Sequence, residues 1–276
     1  MTDLPEYEVY AIKYGDHHRN KSENFIFKDP HDGPMPIDFF IWAIVGGGKT
    51  YVVDVGFEYE DAKRRERNLT RLPSEGLQMI DIDPAKVEDL IVTHMHYDHC
   101  GDLSNFPNAR IHLQEREMAY ATGRNMCHGP IRHAFNVDYV VDLVRAVYDD
   151  RVNFIDGAQE IAPGISVHHI GGHTDGIQSV RVHTRKGWMV LASDATHFYA
   201  NIAIPNPFPI VYSVGEMLAG YDKLRELAGG EEDKIIPGHD PQKFNMFPAA
   251  SKKLEGAVLR LDADPIGDLD EVWLRT

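Results

Sequence analysis

From Ile37 to Val45 the chain is apolar with few breaks, and after Gly46-Gly47-Gly48 a second run, Thr50 to Val55, returns with β-branched residues. Two such runs around a glycine turn predict a β-hairpin. Asp61 to Thr70 is charged and helix-prone, Pro84 to Asp89 reads as a short helix start, and Leu90-Ile91-Val92-Thr93 as a buried strand. Arg110 to Leu113 is a further short strand and Gln114 to Thr122 a helix. Tyr139 to Arg145 is apolar at both short and helical spacings, so its type stays open. Gly123 to Val137 has no clean period and reads as a long loop, which makes the region around 115–153 a cap or substrate loop. Strands resume at Ile165 to Ile170, Ile177 to Val182 and Trp188 to Ala192, and a helix from Gly215 to Leu227 precedes a final strand at Lys234 to Ile236. No repeat or linker marks a boundary, so residues 1–276 read as a single domain. Strand blocks with helices between them predict an α/β sandwich: two sheets packed face to face, helices outside.

Composition narrows the partners. The formal net charge is −15, which opposes nucleic acid and anionic membranes. The one basic cluster, Lys63-Arg64-Arg65-Glu66-Arg67, is short and reads as a solvated helix face. The first residues lack a secretory signal and no apolar stretch approaches the roughly 20 residues of a membrane span, so a cytoplasmic location is expected. Cys100 and Cys127 are too few for a disulfide framework, and Cys100 reads as a small packed side chain rather than a ligand.

The chemistry is concentrated in His94-Met95-His96-Tyr97-Asp98-His99. A His-x-His-x-Asp-His string arises by chance in such a chain only roughly four times in a thousand. Residues two apart on an extended segment point the same way, so His94 and His96 can grip one cation, while Asp98 and His99 lie past the strand and can aim at a second. Three later strands each end in a small-residue turn and a candidate ligand: His173 after Gly171-Gly172, Asp194 after Ala192-Ser193, and His239 after Pro237-Gly238. A carboxylate such as Asp194 can bridge two cations at the roughly 3.5 to 4 Å spacing of two-metal hydrolytic sites. Imidazole and carboxylate donors without thiolate suit zinc, iron, cobalt or manganese, and the order of affinities alone does not choose among them; two zinc ions are the working expectation. Gly46-Gly47-Gly48-Lys49-Thr50 looks like the tail of a phosphate-binding loop, but Ala43 stands where the first glycine should be and a strand follows; it is read as a hairpin turn.

In order and context, His94, His96, Asp98, His99, His173, Asp194 and His239 resemble the metal-binding signature of the metallo-β-lactamase superfamily. The resemblance runs from Val53-Asp54-Val55-Gly56 to the Pro-Gly-His-Asp of 237–240. It implies that superfamily's αββα sandwich. Thr93 to Gly101, Phe106-Pro107-Asn108-Ala109 and Ser193-Asp194-Ala195 are similar to segments of the N-acyl homoserine lactonases, the quorum-quenching lactonases. That likeness implies a dinuclear hydrolase in which a water or hydroxide between the metals opens a lactone ring, with Asp98 relaying its proton, and it makes a homodimer a natural expectation. Asp54 resembles a superfamily aspartate that supports the site from behind its imidazoles, although a turn or capping role fits it equally.

One position departs from the lactonase pattern. Three residues after the bridging aspartate these lactonases commonly carry a tyrosine whose hydroxyl bonds the substrate carbonyl; here that residue is His197. A histidine can donate the same hydrogen bond or protonate a leaving alkoxide. Tyr199 could supply a hydroxyl instead, although an ordinary packing role fits it better. Met126, Phe135 and Tyr139 could line a pocket for an apolar part of the substrate or simply pack, and His128 and His133 are candidates for approaching the metals from the cap. The rival readings are a glyoxalase II-like thioesterase and an iron-dependent oxidoreductase on the same scaffold. Only 37 residues follow His239, little for the C-terminal segment that binds glutathione in the former.

Overall fold

The protein is seen here as a computed structural model that describes residues 4–28 and 30–267. The first strand, β1 (Glu8–His17), pairs antiparallel with β2 (Ile37–Gly46), and β2 with β3 (Lys49–Val53). Gly46 pairs with Lys49, and Gly47 and Gly48, at φ +60° and +77°, make a two-residue turn whose left-handed backbone glycine adopts at no steric cost. The hairpin predicted from the three glycines is therefore correct, and Gly46 to Thr50 forms its turn rather than the tail of a phosphate loop. A two-residue strand, β4 (Asn68–Leu69), edges β1, and three parallel strands extend the sheet: β5 (Asp89–Ile91), β6 (Arg110–Gln114) and β7 (Val152–Ile155). The second sheet holds β8 (Ala158–Ala162), β9 (Ile165–His169), β10 (Gln178–Thr184), β11 (Gly187–Ser193) and β12 (Ile235–Pro237), spatially in the reverse of that order. A last strand, β13 (Val258–Arg260), returns to the first sheet beside β1.

The unbroken apolar run of β2 is explained by burial of both its faces. Phe40, Trp42 and Ile44 point between the sheets against Val167, Val180, Leu191 and Ile236. Phe39, Ile41 and Ala43 point the other way, to a helical layer that includes Leu77, Leu143 and Ala146. On the far side, Val190, Ala192 and Ile235 of the second sheet meet Met217, Tyr221 and Leu224 of the helix Val214–Leu227. The order helix, sheet, sheet, helix is the expected αββα sandwich.

Three expectations need correction, and one open reading closes. The helix over Asp61–Thr70 is in fact Tyr59–Arg65, ended by Glu66 in the left-handed region at φ +55°, after which Asn68–Leu69 pairs with β1. Lys234–Ile236 is not the final strand, because β13 follows. Tyr139–Arg145 belongs to a helix, Val137–Tyr148, started by the Asn136 side chain accepting from the Asp138 N–H. The stretch 123–137 is not a bare loop: it carries the short helices Arg124–Cys127 and Gly129–Arg132. Among the described residues no helix is long and apolar enough to cross a membrane.

Candidate metal centre

Ligand candidates sit at the ends of strands that converge on one edge of the sandwich. β5 delivers His94 to His99, β9 leads to His173, β11 to Asp194, and β12 to His239. All seven are buried. Asp194 lies in the middle: its Oδ2 is 3.2 Å from His173 Nε2 and 3.8 Å from His94 Nε2, while Oδ1 is 2.9 Å from His239 Nε2 and 3.3 Å from His99 Nε2. One group gathers His94, His96, His173 and Asp194; a second gathers Asp98, His99 and His239. Asp98 Oδ2 is 3.8 Å from Nε2 of both His99 and His239.

The imidazoles are held by their outer nitrogens. His173 Nδ1–H donates to the Ile210 carbonyl (2.7 Å) and His239 Nδ1–H to the Asp38 carbonyl (2.9 Å), which leaves each Nε2 lone pair facing the cluster. His99 Nδ1 donates to Asp54 Oδ2 at 2.7 Å. Asp54, at φ +63°, also accepts from the Thr93 N–H and hydroxyl, and Thr93 Oγ1 lies 3.0 Å from Ser193 Oγ. It thus ties the strand before the His-rich string to the turn before Asp194, the supporting role its resemblance implied. Gly238 passes so close to Asp194 that a Cβ there would lie 2.6 Å from its Oδ1.

The residues fit a pair of divalent cations. His94 Nε2, His99 Nε2 and Asp194 Oδ1 are buried with no hydrogen-bond partner, an arrangement that costs free energy unless a cation completes it. Burial, then neighbouring imidazoles, push His94 and His96 well below the usual histidine range, so both present neutral nitrogens. Burial opposes ionisation of Asp194, but His197, His239 and His99 outweigh it and hold the carboxyl well below its usual value.

The other candidates separate. His197 belongs to the centre: its Nε2 is 3.1 Å from Asp194 Oδ2, and its ring stacks on Phe208 at 3.8 Å and 6°. Tyr199 does not line the space over the ligands. It is buried in the layer between the sheets, because its N–H is tied to the Asp240 carboxylate. Phe135 packs edge-on to His96 at 4.7 Å, and with Met126 it lines a cavity of about 490 Å³ beside the centre. Tyr139 does not line it; its hydroxyl accepts the Glu58 N–H. His133 borders both spaces, whereas His128 is exposed away from them. Cys100 is buried outside the ligand groups.

Sequence reasoning missed two things. Glu117, fully buried, accepts from the Met95 N–H (2.8 Å), the Thr174 hydroxyl (2.7 Å) and the Gly176 N–H (3.0 Å), and so clamps the His94–His96 strand end to the His173 turn. It looked like an ordinary acidic residue of a helix's first turn. The basic cluster is also misread as wholly solvated: Lys63 and Arg64 are exposed, but Arg65 and Arg67 are half-buried and, with Arg19, wall the roughly 70 Å³ space over the ligands.

The sequence model of the metallo-beta-lactamase superfamily matches residues 40–239, from β2 to the last histidine of the cluster. The chain belongs to this superfamily. Among its curated members, the N-acyl homoserine lactonase AttM of Azorhizobium caulinodans is 30% identical over 181 residues, 63% of this chain and 66% of that protein. An N-acyl homoserine lactonase of Bacillus sp is 27% identical over 166 residues, 59% of this chain and 60% of that protein. The matched segments span about three fifths of the length of the Bacillus relatives. A crystal structure of a quorum-quenching N-acyl homoserine lactone lactonase shares the fold, with a TM-score of 0.73 at 21% identity over 88% of this chain and 95% of that one.

Proposed function

We propose that this chain is a dinuclear metal-dependent hydrolase that opens the ring of a lactone, an N-acyl homoserine lactone or a related small cyclic ester. The observation that carries the reading is Asp194, which turns one carboxylate oxygen to each of two imidazole groups. The names borne by its superfamily relatives support the lactone. Zinc is the metal that best suits the donors, and His94, His96, His173 and Asp194 would hold one ion, with Asp98, His99, His239 and Asp194 holding the other. Two such cations supply Lewis acidity toward a carbonyl oxygen and bring the acidity of water near neutrality.

The remaining work falls to the chain's own groups. Asp98, at the rim of the second group, takes the proton of the attacking water and passes it to the leaving alkoxide. His197 steadies the carbonyl or leaving oxygen, its ring orientation set by Phe208. Phe208, Ile210 and Ala134 keep bulk water from the space over the ligands. The neighbouring cavity with Met126 and Phe135 receives an apolar portion of the substrate. Because the leaving oxygen of a lactone stays on the product, no separate exit is needed.

The test is a panel of lactones differing in ring and acyl chain, followed by proton release, with metal content measured on the same sample. Ring opening that scales with metal content is expected. Turnover of linear thioesters with no cyclic ester opened would refute the reading.

A further inference from the structure

The chain carries 43 acidic residues against 28 lysines and arginines, yet three guanidinium groups wall the small space over the metal ligands. Arg65 is accounted for: it pairs with Asp61 at 3.2 Å and donates to the carbonyls of His133 and Phe135. Arg19 and Arg67 are different. Arg19 donates Nε to Asn24 Oδ1 (2.7 Å) and Nη2 to the Glu23 carbonyl (2.6 Å). Arg67 donates Nε to the Tyr97 hydroxyl (3.1 Å) and Nη1 to the Arg65 carbonyl (2.7 Å), and its Nη1 lies 2.9 Å from His17 Nε2. Every one of these partners is neutral. Among the described residues neither arginine has a carboxylate within ion-pair distance, and Nη1 of Arg19 and Nη2 of Arg67 make no bond. Their rotamers are fixed and neither is ion-paired, Glu23 acting on Arg19 only from beyond ion-pair distance, the state of a preorganised anion receptor.

Each arginine reaches the reacting groups through one neighbouring side chain. The Arg19 guanidinium lies 4.9 Å over the Phe208 ring, the ring on which His197 stacks. Arg67 is held by Tyr97, which stands in the chain between His96 and Asp98. His17, beside Arg67, is pushed down to about 4 by burial and then by Arg67 and Arg19, so it adds no third charge at neutral pH.

Building on the lactonase reading, we propose that the substrate is anionic: a small cyclic ester bearing a carboxylate that Arg19 and Arg67 receive while its ester carbonyl lies over the metal ligands. A guanidinium presents paired N–H groups that match a carboxylate's two oxygens, and the half-buried setting strengthens each charge-assisted bond. Against the net negative charge of the protein, this localised positive wall favours an anion in the space over the ligands.

The holoenzyme is assayed with matched lactones that differ only in a ring substituent, carboxylate or neutral alkyl, with sulfonate and phosphate versions as further arms. The carboxylate lactone is expected to show about ten- to a hundredfold higher kcat/KM, an advantage that shrinks as ionic strength rises. Arg19→Gln and Arg67→Gln should raise KM for that substrate by a similar factor, with kcat and the neutral lactone little changed. Lys63→Gln, the same loss of charge outside the cavity, should do neither. Metal content and melting temperature of each variant verify that the centre and fold persist. A sulfonate or phosphate lactone preferred over the carboxylate one overturns the choice of carboxylate. Equal kcat/KM for the charged and neutral lactones, or variants that impair both alike, overturns the anion site. Calorimetric binding of a ring-opened dicarboxylate and its monocarboxylate counterpart separates the two readings. If no lactone is hydrolysed but the dicarboxylate binds more tightly and loses that advantage in Arg67→Gln, the lactonase reading falls and the anion site stands.

Discussion

His197 is where this chain departs from the lactonase pattern, and its geometry says what the departure means. The imidazole faces Asp194 and is clamped flat against Phe208, so its one useful edge points into the centre. If it serves the carbonyl or leaving oxygen, His197→Ala should lower kcat by about a hundredfold or more with both metals retained. His197→Tyr, restoring a hydroxyl at that position, should recover a large part of the loss. Single-turnover rates with metal analysis on each variant test this, and an alanine variant with unchanged kcat would remove His197 from the chemistry. The seven candidate ligands were legible in the sequence because four form one His-x-His-x-Asp-His string and the other three, His173, Asp194 and His239, each follow a recognisable strand and small-residue turn. Arg19 and Arg67 were not, since an arginine that walls a cavity and one that snorkels into solvent look identical in a charged string.

At the scale of elements, the centre depends on how strand ends are tied together. Glu117 joins the turn after β5 to the turn after β9 through three bonds from one buried carboxylate. Glu117→Gln keeps the shape but weakens those bonds; metal affinity should fall about tenfold or more, read by competition with a chelator, with a smaller loss of thermal stability. Unchanged affinity would mean that the clamp does not position the ligands. β1 carries a second element-level consequence through His17. Burial, then Arg67 and Arg19, depress its folded pKa to about 4, below the 6.5 of an unperturbed imidazole. As pH falls from about 6.5 to 4 the unfolded chain takes up a proton that the folded chain refuses, so stability is lost over that window and is flat above it. Relative to His17→Gln, the wild type should lose stability between pH 7 and pH 5 in denaturant melts; a pH-independent difference would refute the assignment. Element types were legible where a clean period or glycine turn marked them, as in β2 and β3. β1 escaped notice because a bulge between Lys13 and Gly15 breaks its alternation, and β13 because three residues are too few to carry a period.

For the whole molecule, the two sheets bring five imidazoles and two carboxylates, drawn from four strand ends, into one buried cluster, and cations that bind there bind only the folded chain. Stability should therefore depend on metal concentration. Dialysis against a chelator is expected to lower the melting temperature by about 5 to 10 °C for each cation present at roughly a hundred times its dissociation constant. Adding zinc back should restore it, and a melting temperature indifferent to chelation would mean that the cluster does not hold ions tightly. The sandwich itself was legible, since alternating strand and helix blocks leave few other layered arrangements. The way its ends meet was not, because pairing between distant segments leaves no local trace.

That meeting of ends bears on how the chain is made. The Val9 N–H donates to the Asp262 carboxylate, 253 residues further along, and β13 pairs with β1 just beside it. At a synthesis rate of about 5–20 residues per second, β1 leaves the ribosome roughly 13 to 50 seconds before its outer neighbour exists. Throughout that interval the outer edge of the larger sheet stays open to any other strand that reaches it first.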